Sequence, residues 1–130
     1  LYNYVGHQEK CAARVRQILT ELYFDDHSGV CGNEDAGQMS AWYVLSAIGL
    51  YQVDPAAGEF QFGSPIVHKA TLNVGGGKNF TVIAHNNTME NIYIQDVKLN
   101  GKPHAGTSIT YDQIKAGGTL EFTMGATPVK

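Results

Sequence analysis

The spacing of apolar residues changes once along this chain, at Asp54-Pro55, and that change limits the folds open to it. Before it, apolar residues recur every three or four positions, which predicts amphipathic helices. After it, apolar and polar residues alternate, which predicts strands with one buried face. The sequence therefore divides into a helical part, residues 1–52, and a mainly β part, residues 56–126.

Two helices are predicted in the first part. One runs from Gln8 to about Phe24 and ends at the turn-forming run Asp25-Asp26-His27-Ser28-Gly29. The other runs from about Ala36 to Ile48. It is apolar nearly all round, so we expect it to be buried on several sides.

Alternating segments predict about five or six strands in the second part. The clearest segments are Glu59–Gly63, Ala70–Val74, Phe80–Ala84, Ile92–Leu99 and Leu120–Met124. We expect an irregularity near Gln95-Asp96, a hairpin at Asn100-Gly101 and a capping box at Thr110–Gln113. The predicted fold is α+β, with two N-terminal helices packed on an antiparallel sheet as a two-layer sandwich.

Composition excludes several classes of protein. The 130 residues suit a single domain, and the formal charge of −3 comes without any Lys/Arg cluster, which argues against a nucleic-acid partner. No apolar run reaches the ~18 residues of a membrane-spanning helix, so no membrane contact is expected. Cys11 and Cys31 are too few for a disulfide framework or a zinc site, and we interpret them as small buried thiols, with one pairing left open.

The chain opens on the aromatic and apolar run Leu1-Tyr2-Asn3-Tyr4-Val5. An opening without polar residues leads us to expect a piece of a longer protein. In that case Tyr2, Tyr4 and part of the helix around Trp42 should form an exposed apolar patch.

The loop between the two predicted helices, Cys31–Gln38, is the densest polar segment. It carries adjacent carboxylates, Glu34 and Asp35. Asp35 with Gln38 three residues later approximates a capping box, which favours a structural role; a catalytic acid or base stays open. Trp42 is open in the same way between core packing and stacking on a sugar ring. No EF-hand or zinc spacing is present, so no metal ligand is assigned in this chain.

The same loop and the helix after it resemble a known enzyme family, glycoside hydrolase family 92. The resemblance begins with Gly32-Asn33-Glu34-Asp35-Ala36-Gly37-Gln38-Met39-Ser40-Ala41-Trp42-Tyr43-Val44 and Ser46–Tyr51. It continues through Gly63-Ser64-Pro65, Asn86-Asn87, Leu99–Pro103 and Gly117–Phe122, and so covers essentially the whole chain.

The resemblance implies part of a calcium-dependent, exo-acting α-mannosidase that works with inversion, many members being α-1,2-mannosidases. The chain would be the C-terminal part of a protein that also has an N-terminal β-sandwich and an (α/α)₆ barrel. Its substrate would be a mannose-containing oligosaccharide or N-glycan, met outside the cell, in the periplasm or at the cell surface. Calcium would be held mostly by residues upstream of Leu1.

The resemblance also implies roles for individual residues. Asp35 would be the general base, with Glu34 as the fallback base or a sugar contact. Asn33 and Trp42 would contact substrate. The general acid would lie upstream of Leu1, so the isolated chain should be inactive. The alternative is a non-catalytic carbohydrate-binding or structural β-rich module in which the acidic loop only caps a helix.

Overall fold

The computed structural model describes residues 1–129, which form three α-helices and eight strands. The helices are α1 Gln8–Glu21, α2 Gln38–Ala47 and α3 Tyr111–Lys115. The strands are β1 Leu50–Tyr51, β2 Glu59–Phe62, β3 Lys69–Gly75, β4 Lys78–His85, β5 Tyr93–Leu99, β6 Lys102–Pro103, β7 Ser108–Thr110 and β8 Gly118–Gly125. Short 3₁₀ turns cover Tyr2–Val5, Asp35–Gly37 and Pro55–Ala57.

The strands form two sheets, and the predicted α+β class is confirmed. Three strands pair in the order β1-β2-β7, and five pair in the order β3-β4-β8-β5-β6. All pairs are antiparallel except β4 with β8, which run parallel. This pair differs from the all-antiparallel sheet that the sequence predicted. It forms because the long connection through β5, β6, β7 and α3 returns β8 to the centre of the sheet.

Helix α1 begins at the predicted residue, and the other boundaries of α1 and α2 differ from the predicted ones by one to three residues. The first helix ends at Glu21, since Leu22 leaves helical geometry and Tyr23 forms an isolated β-bridge with Val30. The second helix begins at Gln38 rather than Ala36, because Ala36 has a φ of 54° and cannot continue a right-handed helix.

Three local predictions in the β part are confirmed. The ladder between β5 and β8 shifts register between Ile94 and Asp96, as expected for a bulge. Asn100-Gly101 joins β5 to β6, with both residues at positive φ. Thr110 and Gln113 form a reciprocal capping box at the start of α3.

The hydrophobic core lies between the five-stranded sheet and the segments packed on its inner face. Alternate residues of β4 and β8 point into it, as the period of two requires. The buried members are Ile48, Leu50, Phe62, Phe80, Val82, Ala84, Val97, Ile109, Ile114, Leu120, Phe122 and Met124. Gly49 follows α2 with a φ of 90°, and a Cβ there would lie 3.1 Å from Pro65 and 3.2 Å from Phe122.

Helix α1 is attached to the loops of the β part by the buried side chain of Arg16. Its guanidinium donates hydrogen bonds to the Ser64 hydroxyl (3.2 Å), the Asn87 side-chain oxygen (3.0 Å) and the carbonyls of Pro65 (2.6 Å) and Thr88 (3.1 Å). No carboxylate within residues 1–129 pairs with it. Burial lowers the pKa of Arg16, and the four acceptors compensate for the water that the charge has lost.

The helical side of the molecule keeps a large apolar surface. Tyr2 and Tyr4 are exposed, which confirms part of the expected patch, while Trp42 is half-buried. Other exposed apolar side chains on the helical side are Leu22, Phe24, Val44, Tyr51 and Val53. Of the residues of α2, only Ser46 and Ala47, at its end, are fully buried. The prediction that this helix is buried on several sides is therefore wrong for this part of the protein.

The cysteines are free, and they differ in exposure. Cys11 on α1 is half-buried, but Cys31 is exposed at the start of the loop that joins α1 to α2. The interpretation of both as buried thiols is therefore wrong for Cys31. Cys31 belongs to a segment, residues 31–38, in which every residue is exposed.

Candidate functional site

The loop at residues 31–38 projects from the helical side of the molecule. It follows the bridge between Tyr23 and Val30, and every one of its residues is exposed. Its backbone turns sharply at Ala36 and Gly37, with φ values of 54° and 76°. A left-handed conformation is unfavourable for alanine, so other contacts of the loop must maintain it.

Glu34 provides those contacts. Its carboxylate accepts hydrogen bonds from the backbone N–H of Ser40 (3.1 and 3.0 Å to the two oxygens) and from the Ser40 hydroxyl (3.0 Å). Ser40 is the third residue of α2, where the backbone N–H has no partner inside the helix. Glu34 therefore caps α2 from three residues before the N-cap, Gly37.

This geometry overturns the capping box expected for Asp35 and Gln38. The N-cap of α2 is Gly37, which has no side chain, and Gln38 is already the first residue of the helix. The exposed carboxylate of Asp35 makes no hydrogen bond to any residue from 1 to 129. Of the two adjacent carboxylates, one is held and the other is free to accept a proton or a ligand.

The two residues predicted to contact substrate lie in different surroundings. Asn33 is exposed beside Glu34 and makes no side-chain hydrogen bond to the described part of the chain. Trp42 lies one turn into α2, half-buried, with its ring stacked on Tyr23 (centroids 5.8 Å apart, 13° between planes) and tilted against Tyr51 (6.3 Å). The structure thus brings Asn33, Glu34 and Asp35 together and places Trp42 in the aromatic cluster behind them.

Tyr23 joins this cluster to the first turn of α2, and the sequence did not indicate it. Its hydroxyl donates a hydrogen bond to the Met39 carbonyl at 3.1 Å, and its ring also contacts Tyr43. Burial raises the pKa of Tyr23, and the nearby Cys31 and Glu34 add to the increase. The neutral phenol therefore persists well into the alkaline range as a donor.

Ser40 was also not singled out by the sequence analysis, although it lies within the motif that carried the resemblance and it donates to Glu34. The signal that could have found it is its position, a small hydroxyl residue in the first turn of a helix that follows an acidic loop. A recess of about 250 Å³ lies beside Gln38 and Met39, the first two residues of α2. It is lined by Ile18, Tyr23, Cys31, Gln38, Met39, Trp42 and Tyr51.

The residues present do not form a calcium site by themselves. Ca²⁺ takes six to eight oxygen ligands. Within residues 1–129 no three His, Cys, Asp or Glu side chains gather closely enough to hold a metal ion. Both oxygens of Glu34 already accept hydrogen bonds from Ser40. Asn33 could give one oxygen ligand, and Asp35 one or two, to an ion held mainly by other residues.

In chemical terms the loop offers half of an acid–base pair. Asp35 is an exposed, unengaged carboxylate on a backbone that Glu34 holds in place. Within residues 31–38 the other carboxylate, Glu34, is engaged by Ser40, so Asp35 is the free one of this loop. The arrangement suits one proton-transfer step on a ligand bound from outside the chain.

Comparison with known proteins identifies the family. A model described as the glycosyl hydrolase family 92 catalytic domain matches residues 1–126. The chain belongs to glycoside hydrolase family 92. The resemblance carried by the motif at residues 32–51 is thereby confirmed.

Solved family 92 structures share the whole fold described above. One is a family 92 α-mannosidase from Bacteroides thetaiotaomicron in complex with mannoimidazole, 36% identical over 98% of this chain, with a TM-score of 0.94. Another is the family 92 inverting mannosidase from B. thetaiotaomicron VPI-5482, 41% identical over 92% of this chain, with a TM-score of 0.84.

The chain spans about one sixth of the length of these family 92 relatives. It covers 17% of the first structure, 16% of the second and 16% of a curated relative from Arthroderma benhamiae. That relative is 31% identical over 128 residues and is named an uncharacterized secreted glycosidase. Among the residues described, no helix combines the length and apolar character needed to cross a bilayer.

Proposed function

We propose that this chain is the C-terminal part of an exo-acting, inverting α-mannosidase and supplies its general base, Asp35. The substrate is a mannose-containing oligosaccharide or N-glycan, with α-1,2 linkages as the expected target. The rest of the enzyme, a β-sandwich and an (α/α)₆ barrel, supplies the general acid and most of the sugar site.

The relatives support the reaction class. The two solved structures are named an α-mannosidase and an inverting mannosidase, and both superpose on nearly all of this chain. An inverting glycosidase needs one carboxylic acid that protonates the leaving oxygen and one carboxylate that activates water on the opposite face of the sugar. The acidic loop offers one suitable carboxylate, which fits one half of that pair.

The observation that carries the assignment is the difference between Glu34 and Asp35. Glu34 accepts hydrogen bonds from two donors of Ser40, its backbone N–H and its hydroxyl, which engage both carboxylate oxygens and stabilise α2. Asp35 is exposed and unengaged, so its oxygens can orient a water molecule and take its proton. In the proposed reaction that water attacks the anomeric carbon while the acid, from outside this chain, protonates the departing oxygen.

Calcium and export belong to the same proposal. The ion would be held by residues outside this chain, since the residues described here do not assemble a site. A secreted, periplasmic or cell-surface location is supported by the name of the fungal relative, a secreted glycosidase. Asn33 and Trp42 are proposed to contact the sugar, Asn33 through its exposed amide and Trp42 through the side of its ring that lines the recess.

The test is Asp35→Asn in the full-length enzyme, with an aryl α-mannoside as substrate. Asparagine keeps the shape but cannot take a proton, so kcat should fall by about 10²–10⁴-fold with KM little changed. The matched control is Asp112→Asn, another exposed aspartate in a helical first turn, which should leave kcat unchanged. Turnover within a few-fold of the parent for Asp35→Asn, together with its loss in Glu34→Gln, would move the base to Glu34.

A second measurement separates a base from a structural residue. Azide is already an anion, so it attacks the sugar without losing a proton. In Asp35→Ala, added azide should restore cleavage and yield the β-configured mannosyl azide. Failure of azide to restore any cleavage in a folded variant would count against a base role for Asp35.

A further inference from the structure

We infer that Ser40 is a positioning residue for the general base, acting through Glu34. This inference rests on the proposed role of Asp35. It assigns Glu34 a function other than proton transfer or sugar binding, and it gives the Ser40 hydroxyl a role in turnover.

Ser40 donates to the Glu34 carboxylate from two groups, its backbone N–H and its hydroxyl. The backbone N–H reaches both carboxylate oxygens, at 3.1 and 3.0 Å, and the hydroxyl reaches the second oxygen at 3.0 Å. A carboxylate bound at one point can rotate, but two donors from different directions fix both its position and its plane. The contact closes a loop of seven residues, 34–40, against the first turn of α2.

Closing that loop determines where Asp35 lies. Asp35 stands between Glu34 and Ala36, which has a φ of 54° in the unfavourable left-handed region. Such a conformation persists only where surrounding contacts fix it. The turn carries backbone hydrogen bonds from Gly37 N–H to the Glu34 carbonyl (3.3 Å) and from Gln38 N–H to the Asp35 carbonyl, and the Glu34–Ser40 contact is the side-chain contact that adds to them. The backbone on either side of Asp35 is therefore held by Glu34 on one side and by the start of α2 on the other.

Loss of the Ser40 hydroxyl should make the position of Asp35 less well defined while leaving its carboxylate in place. In Ser40→Ala the backbone N–H of residue 40 still donates to the Glu34 carboxylate, so Glu34 still caps α2. The carboxylate loses its second donor, and Asp35 can move relative to the attacking water. Misplacement of a reacting group by about 1 Å can cost about 10²-fold in rate.

The experiment compares Ser40→Ala, Ser40→Thr and Ser28→Ala in the full-length enzyme. Ser40→Ala should lower kcat by about ten- to a hundredfold while KM stays within about twofold, because substrate contacts are intact. Ser40→Thr keeps a hydroxyl at the same position and should restore kcat to within about threefold of the parent. Ser28 is the matched control, since its exposed hydroxyl makes no hydrogen bond to residues 1–129.

Two further variants make failures distinguishable. Glu34→Gln retains an oxygen that accepts from Ser40, so it should keep more turnover than Asp35→Asn in the same assay. Parent-like kcat in Ser40→Ala, or no recovery in Ser40→Thr, would overturn the positioning role even where Asp35→Asn is inactive. Parent-like kcat in Asp35→Asn would instead overturn the proposed base, and the positioning role with it.

Discussion

Glu34 and Asp35 are neighbours in sequence, yet their carboxylates have different chemical opportunities. Both oxygens of Glu34 accept hydrogen bonds from Ser40, whereas the oxygens of the exposed Asp35 accept none from the described residues. The left-handed turn at Ala36 and Gly37 lies between Glu34 and Ser40, and across it Ser40 donates to Glu34 and not to Asp35. A residue's role in this loop therefore depends on the turn that follows it.

Cys31 and Cys11 differ in exposure, and we expect their reactivity toward alkylating agents to differ accordingly. Cys31 is exposed, while burial raises the pKa of the Cys11 thiol and so reduces its thiolate fraction. We expect iodoacetamide at pH 8 to alkylate Cys31 first, as followed by peptide mass spectrometry. In denaturant the two rates should become similar. Faster labelling of Cys11 in the native chain would contradict the burial described here.

The loop at residues 31–38 caps α2, but through a different residue from the one that the sequence predicted. The capping template expects Ser, Thr or Asp at the N-cap and Glu or Gln three residues later, which pointed to Asp35 and Gln38. The cap comes instead from Glu34, because alanine at position 36 adopts a conformation that its side chain does not favour. No propensity predicts that turn, so Ser40 and the free state of Asp35 became visible only in three dimensions.

At the scale of elements, the attachment of α1 depends on Arg16. Replacing it with methionine keeps the apolar stem but leaves the acceptors on Ser64, Pro65 and Asn87 without their donor. We expect a loss of about 2–4 kcal/mol in the free energy of unfolding, measured by urea denaturation. Arg16→Lys should lose less, since an ammonium replaces some but not all of the donors.

The control for this prediction is Arg14→Met. Arg14 lies two residues earlier on α1 and is exposed, so its replacement should change the unfolding free energy by less than about 0.5 kcal/mol. Equal losses for the two variants would show that helix propensity or net charge, and not the buried hydrogen bonds, explains the effect.

The elements themselves were largely predictable, because their signals are local. Alternation located β3, β4, β5 and β8 to within two residues, and turn chemistry located the hairpin at Asn100-Gly101. The division into two sheets and the parallel pairing of β4 with β8 were not predictable. The parallel pair joins residues about 40 positions apart, and the pairing of β2 with β7 joins residues about 50 positions apart. Alternation within a strand does not encode either pairing.

At the scale of the whole molecule, the helical side presents an apolar face. Phe24 and Val44 are each 60% exposed, with Leu22 nearby in sequence. Exposed apolar side chains of this size favour association in water. We expect the isolated chain to self-associate at micromolar concentration in sedimentation velocity, and Phe24→Asn with Val44→Asn to shift it toward monomer. An isolated chain that stays monomeric at high concentration would contradict this reading of the face.

The isolated chain should have no mannosidase activity. An inverting glycosidase needs an acid, a base and a water between them, and loss of the acid removes protonation of the leaving group. Asp35 is the one free carboxylate that the loop at residues 31–38 offers. Glu121 does not add a second one, since it lies on the five-stranded sheet and contacts His85 at 2.9 Å. The purified chain should therefore release no mannose from an aryl α-mannoside or from α-1,2-mannobiose, with calcium or with chelator.

Two results would contradict this division of the mechanism. Calcium-dependent release of mannose by the isolated chain would place a complete site within its 130 residues. Mannose binding without hydrolysis, measured by calorimetry and retained in Asp35→Asn, would favour a carbohydrate-binding module instead. If the chain is inactive while the full-length enzyme loses turnover on Asp35→Asn, then base and acid come from different parts of one protein. The distance between the base and the acid would then depend on how α1 and α2 pack against the rest of that protein.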